Sequence, residues 1–356
     1  MTRHLAGKIT GKTVLLIAFL VLSASRLSAG QEIDSVYGPL PVFELHSGFW
    51  INLHHTLYYQ ARQRSSPVAT PSDNAKASGP VLQRAPGVGT PLTPDEQRAW
   101  DSAVSFYAAN YADKDLQFTT ELILLKNQLG EFDSCTELTG KKKKTCDAGL
   151  PGKIGEVLES AAPVYRAHWW ADHDRINRLW VTRVAPLVRE QGVGLSERLA
   201  GIYRTRWPRE KIRVDVSFYA NAAGAYTTLD PLRVTIASGD ARNQGASALE
   251  VLFHEASHGI AEPVEAAIVR ECRQRDKAIP RDLWHALIFY TTGEVIKPVM
   301  SGDSPDDADY VPYAVRQDLY KRGWEEYLKL LTRYWQPYLN NKSTFDDSIA
   351  RMVSSL

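Results

Sequence analysis

Between residues 211 and 259 the apolar residues change their period, and that change restricts the fold more than any other stretch of the chain. Ile212, Val214, Val216 and Phe218 alternate with Arg213, Asp215, Ser217 and Tyr219, the period of a strand with one buried face. Asn221 to Gly224 is a turn signal. Leu232, Val234 and Ile236 then alternate with Arg233 and Thr235. Pro231 at the head of this second run places it at a sheet edge, because proline cannot donate to a ladder. Together the two runs predict a hairpin or small antiparallel sheet. From Ser247 the spacing turns helical, and Ser247-Ala-Leu-Glu250 matches a capping box, in which the two side chains serve each other's free N–H groups.

Before that switch the pattern is helical. Phe49 to Gln60 reads as an amphipathic helix carrying His54 and His55. Neighbours on a helix lie about 100° apart, so this pair cannot face one metal together, and a structural role is expected. Residues 64–94 are rich in Pro, Ser, Gly, Ala and Thr and read as a flexible insertion. Thr93-Pro94-Asp95-Glu96 supplies a cap, a proline for the first turn and acidic residues beside the helix dipole. Helices are predicted from there to Ala112, from Leu116 to Leu129 and from Ile154 to Glu190. The last carries His168, Trp169, Trp170 and His173, whose spacing suits packing. The expected fold class is therefore α+β and mainly α: a helical N-terminal region over 31–210, then a sheet, a helix and a helical C-terminal part over 211–356.

The first thirty residues stand apart. Arg3, His4, Lys8 and Lys12 precede an apolar run from Val14 to Leu22, followed by small residues to Ala29-Gly30. A basic start, a short apolar stretch and a small-residue exit mark a secretory signal peptide. The run falls short of the roughly 20 residues that span a bilayer. A periplasmic or secreted protein is expected, with no stable membrane insertion after cleavage. Cys135 and Cys146 flank a loop with the run Lys141 to Lys144, which a disulfide could close in an oxidising compartment. Cys272 is left as a buried thiol. Formal net charge is +1, so no basic footprint points to nucleic acid.

The helix opened near Ser247 contains His254-Glu-Ala-Ser-His258. Four residues at about 100° each put the two imidazoles roughly 40° and one turn apart, so both can bind one cation. Glu255 lies beside them as a general base for a water that zinc would acidify.

The segment from Ile212 to Gly259 resembles the core of the zincin metallopeptidases, in which a small antiparallel sheet precedes the His-Glu-x-x-His helix. That resemblance implies an edge strand that pairs with an extended peptide, and Leu232 to Ala237 is the candidate. The metzincin extension is absent, since Gly259-Ile-Ala-Glu262-Pro263 follows His258. The layout is more similar to the gluzincin branch, which implies a Glu on a later helix as third ligand.

A catalytic zinc usually takes three protein ligands and a water. Glu262 suits a supporting role rather than ligation. The apolar stretch Leu283 to Lys297 predicts a buried helix with two ionisable residues, His285 and Glu294. They are nine positions apart, about 180° around a helix, so either is the third ligand but not both. Asp282 is placed to orient His285. Tyr290, Tyr310 and Tyr313 are candidates to stabilise an oxyanion or contact substrate. Ser301 to Asp309 reads as an acidic surface loop, and Arg322 to Leu339 as a packing helix.

The function expected is an exported hydrolase that uses one Zn2+ to cleave a peptide or amide bond. Glu255 is its base, and His254, His258 and either His285 or Glu294 are its ligands. The alternative is a non-catalytic exported binding or scaffold protein whose metal is structural or lost.

Overall fold

The computed structural model describes residues 40–65, 91–133, 135, 138, 150, 152–301 and 310–356. The expected leader, residues 66–90 of the insertion, Cys146 with the lysine run, and residues 302–309 of the acidic stretch lie outside them. The chain runs as strand β1 (Phe43–His46), then helices α1 (Phe49–Ser65), α2 (Pro94–Asn110), α3 (Thr120–Gly130) and α4 (Ile154–Tyr165). A π-helical turn (Arg166–Trp170) joins α4 to the long α5 (Ala171–Ile202). Strands β2 (Ile212–Ser217), β3 (Ala225–Leu229) and β4 (Leu232–Ala237) follow. Next come α6 (Ala246–Ser257), α7 (Glu262–Gln274) and α8 (Leu283–Met300), and then α9 (Tyr313–Arg316), α10 (Glu325–Leu330), α11 (Gln336–Leu339) and α12 (Phe345–Ser354). The protein is thus α+β and mainly helical. Among the described residues no helix is long and apolar enough to cross a membrane.

Local chemistry explains where several helices begin. Thr93 Oγ1 accepts from the Glu96 N–H at 3.3 Å while Glu96 Oε2 accepts from the Thr93 N–H at 2.8 Å. That is a complete capping box, with Pro94 in the first turn. At the other end of the chain, Thr344 caps α12. The packing helix expected over Arg322 to Leu339 is broken into α10, a π-helical turn (Leu331–Trp335) and α11. The turn buries Leu331 and Trp335 together.

The sheet differs from the expected antiparallel hairpin. Its order is β1-β2-β4-β3, with β1, β2 and β4 parallel and β3 alone antiparallel. The two alternating runs read in the sequence are parallel neighbours, and the hairpin partner of β4 is the unforeseen β3. Leu232 to Ala237 is therefore an interior strand. Pro231 does not mark an edge; it sits in the two-residue turn between β3 and β4. β3 escaped notice because Ala225 to Thr228 are all buried, so no polar alternation shows.

Both faces of the sheet are covered. Ile212, Val214, Val216, Ala225, Val234 and Ile236 join the core built with α5 to α8. Tyr226 and Ala237 turn the other way, into a second core with α1 to α4. That second face also carries Arg213, Asp215, Ser217 and Thr235, the residues that alternation assigned to solvent, and Thr228 of β3. Helix side chains meet them instead. Lys126 Nζ donates to Thr228 Oγ1 at 2.9 Å, and Arg213 bridges Asp215 and Asp133 at 2.7 and 2.6 Å. Burial opposes the charge on Asp215, yet Arg213, Lys126 and His46 hold its carboxyl below the usual range. Burial also brings Lys126 down to about 8.

The structural role expected for the first histidines holds. His54 Nδ1 bonds Tyr107 OH, and His55 bonds Ser217 Oγ and Tyr226 OH through its two nitrogens. His173 bonds Tyr165 OH and stacks on Phe218, while His168 meets Glu96. Cys135 is disulfide-bonded and Cys272 is a free, buried thiol on α7.

Candidate metal centre

Helix α6 places the His-Glu-x-x-His residues. It does not start on the expected capping box. Its first turn opens from Gly245, whose φ of +57° suits a residue without Cβ. Ser247 lies inside the helix as its second residue. Glu250 is buried. It faces α8 and the segment after it, accepting from Tyr310 OH at 2.7 Å and from the Tyr313 N–H at 2.9 Å. Ala248, Leu249, Leu252, Phe253 and Ala256 pack into the core against the sheet. The helix ends at Ser257, and Glu262 opens a separate helix as an exposed first-turn residue.

His285, near the start of α8, comes to the two histidines of α6. One ring nitrogen from each of His254, His258 and His285 lies within 4.8 Å of the others. The ring centroids stand 5.1, 5.3 and 5.1 Å apart. Ligands at about 2 Å in a tetrahedron stand roughly 3.4 Å apart, so small side-chain rotations close the cluster around an ion. Burial holds all three imidazoles neutral, with the neighbouring histidines adding to the effect on His254 and His258. His258 is pushed down to about 3, His285 to about 4, and His254 well below its ordinary value. Neutral imidazole is the form that ligates. His254 Nδ1 is buried and has no hydrogen-bond partner among the described residues. Three imidazoles with no carboxylate form a donor set that fits a divalent transition ion.

Glu294 is not brought to this cluster. It lies half a helical circumference from His285, and its charge bears on Glu250, Tyr290 and Tyr320. The carboxylate third ligand implied by the gluzincin layout is thus replaced in space by an imidazole.

Glu255 is 8% exposed, and burial raises its carboxyl to about 7 against the pull of one bond from Thr227. Thr227 Oγ1 lies 2.7 Å from Glu255 Oε2. Of the three tyrosines, Tyr290 is turned away, donating to Gln336 Oε1 at 2.6 Å. Tyr310 is spent on Glu250. Tyr313 is linked to the histidines through packing: its ring lies parallel to Phe289 at 6.3 Å, and Phe289 stacks on His254 at 3.5 Å. Burial raises the Tyr313 phenol; Arg242 and Arg316 oppose this, while Asp240 and Glu255 add to it. Gly293 lets this segment approach, since a Cβ there would stand 2.7 Å from Pro312 Cβ.

Four residues of the site escaped sequence reasoning. Trp284 and Phe289 flank His285 on α8, and Trp324 closes over it at 5.4 Å. The helical spacing of Phe289 from His285 was a usable signal. Thr227 gave none, since nothing in its neighbourhood announced β3.

On the outer strand, the Ala237 N–H donates to Gly224 O at 2.8 Å, and the register pairs Tyr226 with Thr235 and Thr228 with Arg233. Those pairs exchange the ladder bonds, so the N–H and C=O of Ala225, Thr227 and Leu229 point away from β4.

No family model, curated protein or solved structure matches the chain.

Proposed function

We propose that the protein is an exported zinc-dependent hydrolase cleaving peptide or amide bonds, with His254, His258 and His285 as the metal ligands and Glu255 as general base. The observation that carries this reading is the three neutral imidazoles beside a buried carboxyl. A zinc ion held there would supply an electrophile for the scissile carbonyl and lower the pKa of a water to about 7. Glu255 would accept a proton from the attacking water as the water oxygen bonds to the carbonyl carbon. It then delivers the proton to the departing nitrogen as the C–N bond breaks. Tyr313 is the tyrosine best placed to donate to the developing oxyanion.

The peptide class rests on two supports. One is the resemblance to the zincins, in which an extended substrate pairs with an edge strand. The other is that β3, which bonds Glu255, is the outer strand of the sheet, with the main-chain groups of Ala225 and Thr227 directed away from β4 on the side where strand addition would occur. β3 thus takes the part first given to Leu232 to Ala237. Export rests on the leader pattern, supported by the disulfide at Cys135.

Metal analysis and a variant test this together. The purified protein is expected to hold one zinc and to cleave internally quenched peptides. Glu255→Gln should keep the zinc and lose hydrolysis by a factor of about 100 or more. A zinc-bound protein with full hydrolysis in that variant refutes the mechanism. A zinc-bound, inactive wild type returns the scaffold reading.

A further inference from the structure

We propose that Thr227 is the positioning residue of the general base, deciding which carboxyl oxygen of Glu255 is free to move a proton. This rests on the hydrolytic reading above. Thr227 is 4% exposed on the outer strand β3. Its Oγ1 stands 2.7 Å from Glu255 Oε2 and 2.8 Å from the Glu255 main-chain oxygen. A threonine hydroxyl has a single proton to donate, so it can serve one of these acceptors at a time. The carboxylate wins for two reasons. A charge-assisted bond is about twice as strong as a neutral one. The main-chain oxygen also already accepts from the His258 N–H at 3.2 Å. Oε2 is therefore occupied. Oε1 has no hydrogen-bond partner among the described residues, and it is the oxygen left to accept the proton from water and pass it to the leaving nitrogen.

Thr227 is in turn held from behind. Its two neighbours on β3 face the opposite side of the sheet. There Lys126 Nζ donates to Thr228 Oγ1 at 2.9 Å, and His55 Nε2 bonds Tyr226 OH at 2.8 Å. Lys126, His55, Tyr226 and Thr228 are all buried. The strand cannot slide or roll beneath α6 without breaking these bonds, so the hydroxyl is a fixed reference for the carboxyl. A glutamate side chain turns about three bonds. Released from Oγ1, it would spend part of its time with neither oxygen aligned to a reacting water, which lowers the rate more than the affinity for substrate.

Two substitutions separate positioning from packing. Thr227→Val keeps the volume and branching of a strand residue and removes the hydroxyl; Thr227→Ser keeps the hydroxyl and removes a methyl group. Both are compared with wild type as zinc-loaded protein, on the internally quenched peptide that wild type cleaves best from a random-sequence panel. Zinc content and Tm are read in parallel. Thr227→Val is expected to lower kcat about 10- to 100-fold, the range for a lost bond to a charged group, with KM and bound zinc unchanged. Thr227→Ser should stay close to wild type. A valine variant with wild-type kcat overturns the proposal. So does a joint loss of activity in both variants with a fall in zinc or Tm, which would mean a packing role. A zinc-bound wild type that cleaves nothing in the panel removes the hydrolytic reading and this role with it. An active wild type beside an unaltered valine variant removes the role of Thr227 alone.

Discussion

Glu250 offers a measurable consequence of burying a carboxyl on the metal helix. Its side chain is 1% exposed, and burial lifts its carboxyl from 4.5 to about 7, despite bonds from Tyr310 and Tyr313 and the charge of Arg316. The folded form therefore holds a proton that the unfolded chain has already released between those two pH values. In that window the native state binds more protons, so stability is greatest below pH 4.5 and falls as pH rises through about 7. Two and a half units at 1.36 kcal/mol each give about 3.4 kcal/mol in full, of which about 2.5 kcal/mol falls between pH 5 and pH 8. Glu250→Gln keeps an acceptor for both bonds and cannot ionise, so it should lack this slope. The assay is urea unfolding of chelator-treated protein across that range, because a nearby dication would favour the charged carboxylate. The gap between variant and wild type should widen in favour of the variant by about 2.5 kcal/mol toward alkaline pH. Contributions from all other groups cancel in the difference. A gap constant to within the usual error of extrapolation, about 0.5 kcal/mol, would show that Glu250 titrates as an exposed carboxyl and refute the argument.

Other outcomes are equally open to measurement. His285→Ala should weaken zinc binding more than the roughly 100-fold typical of losing an outer partner. Glu294→Gln should leave zinc affinity, read by competition with a chromogenic chelator, unchanged. Gly293→Ala pushes a Cβ to 2.7 Å from Pro312, so it should lower stability by about 1–3 kcal/mol and shift the near-ultraviolet dichroism of the aromatic residues around the site. Lys126→Met removes a buried cation that donates to Thr228 and helps keep Asp215 ionised, and chemical denaturation at pH 7 should find it less stable by about 1–3 kcal/mol. Tyr313→Phe should lower kcat about tenfold or more while Tyr290→Phe does not, because Tyr313 packs beside Phe289 and feels Glu255, whereas Tyr290 donates to Gln336.

The helices were legible wherever the sequence carried its own punctuation. Thr93 to Glu96 announced α2 with its cap and first-turn proline, and Glu96 also closes a capping box that was not read. The same kind of reading failed at Ser247 to Glu250, because a capping box needs its glutamate to reach back to the N-cap N–H, whereas Glu250 is drawn into a buried contact with the segment after α8. His254 and His258 followed from helical geometry, and the alternatives His285 and Glu294 were left equivalent by spacing alone; only the crossing of α8 over α6 distinguishes them. The strands were harder. Arg213, Asp215 and Thr235 looked like a solvent face because alternation records polarity, not exposure, and partners such as Lys126 and His55 lie far away in sequence. β1 and β3 are short and carry no distinctive pattern.

The pairing of β1 with β2 joins Phe43 to Ile212 and His46 to Asp215, residues separated by most of the N-terminal half. Contacts so remote in sequence are closed late and slowly, since the loop entropy is lost before the ladder returns anything. During synthesis β1 emerges first and has no partner until the chain beyond α5 appears. The helical N-terminal region is consequently not a removable appendage of the metal centre. A fragment beginning at Lys211 would leave β2 with an open edge and lay the charged face of the sheet bare. Separate expression of the two halves should yield aggregation-prone chains, and co-expression is the route by which the divided protein could assemble.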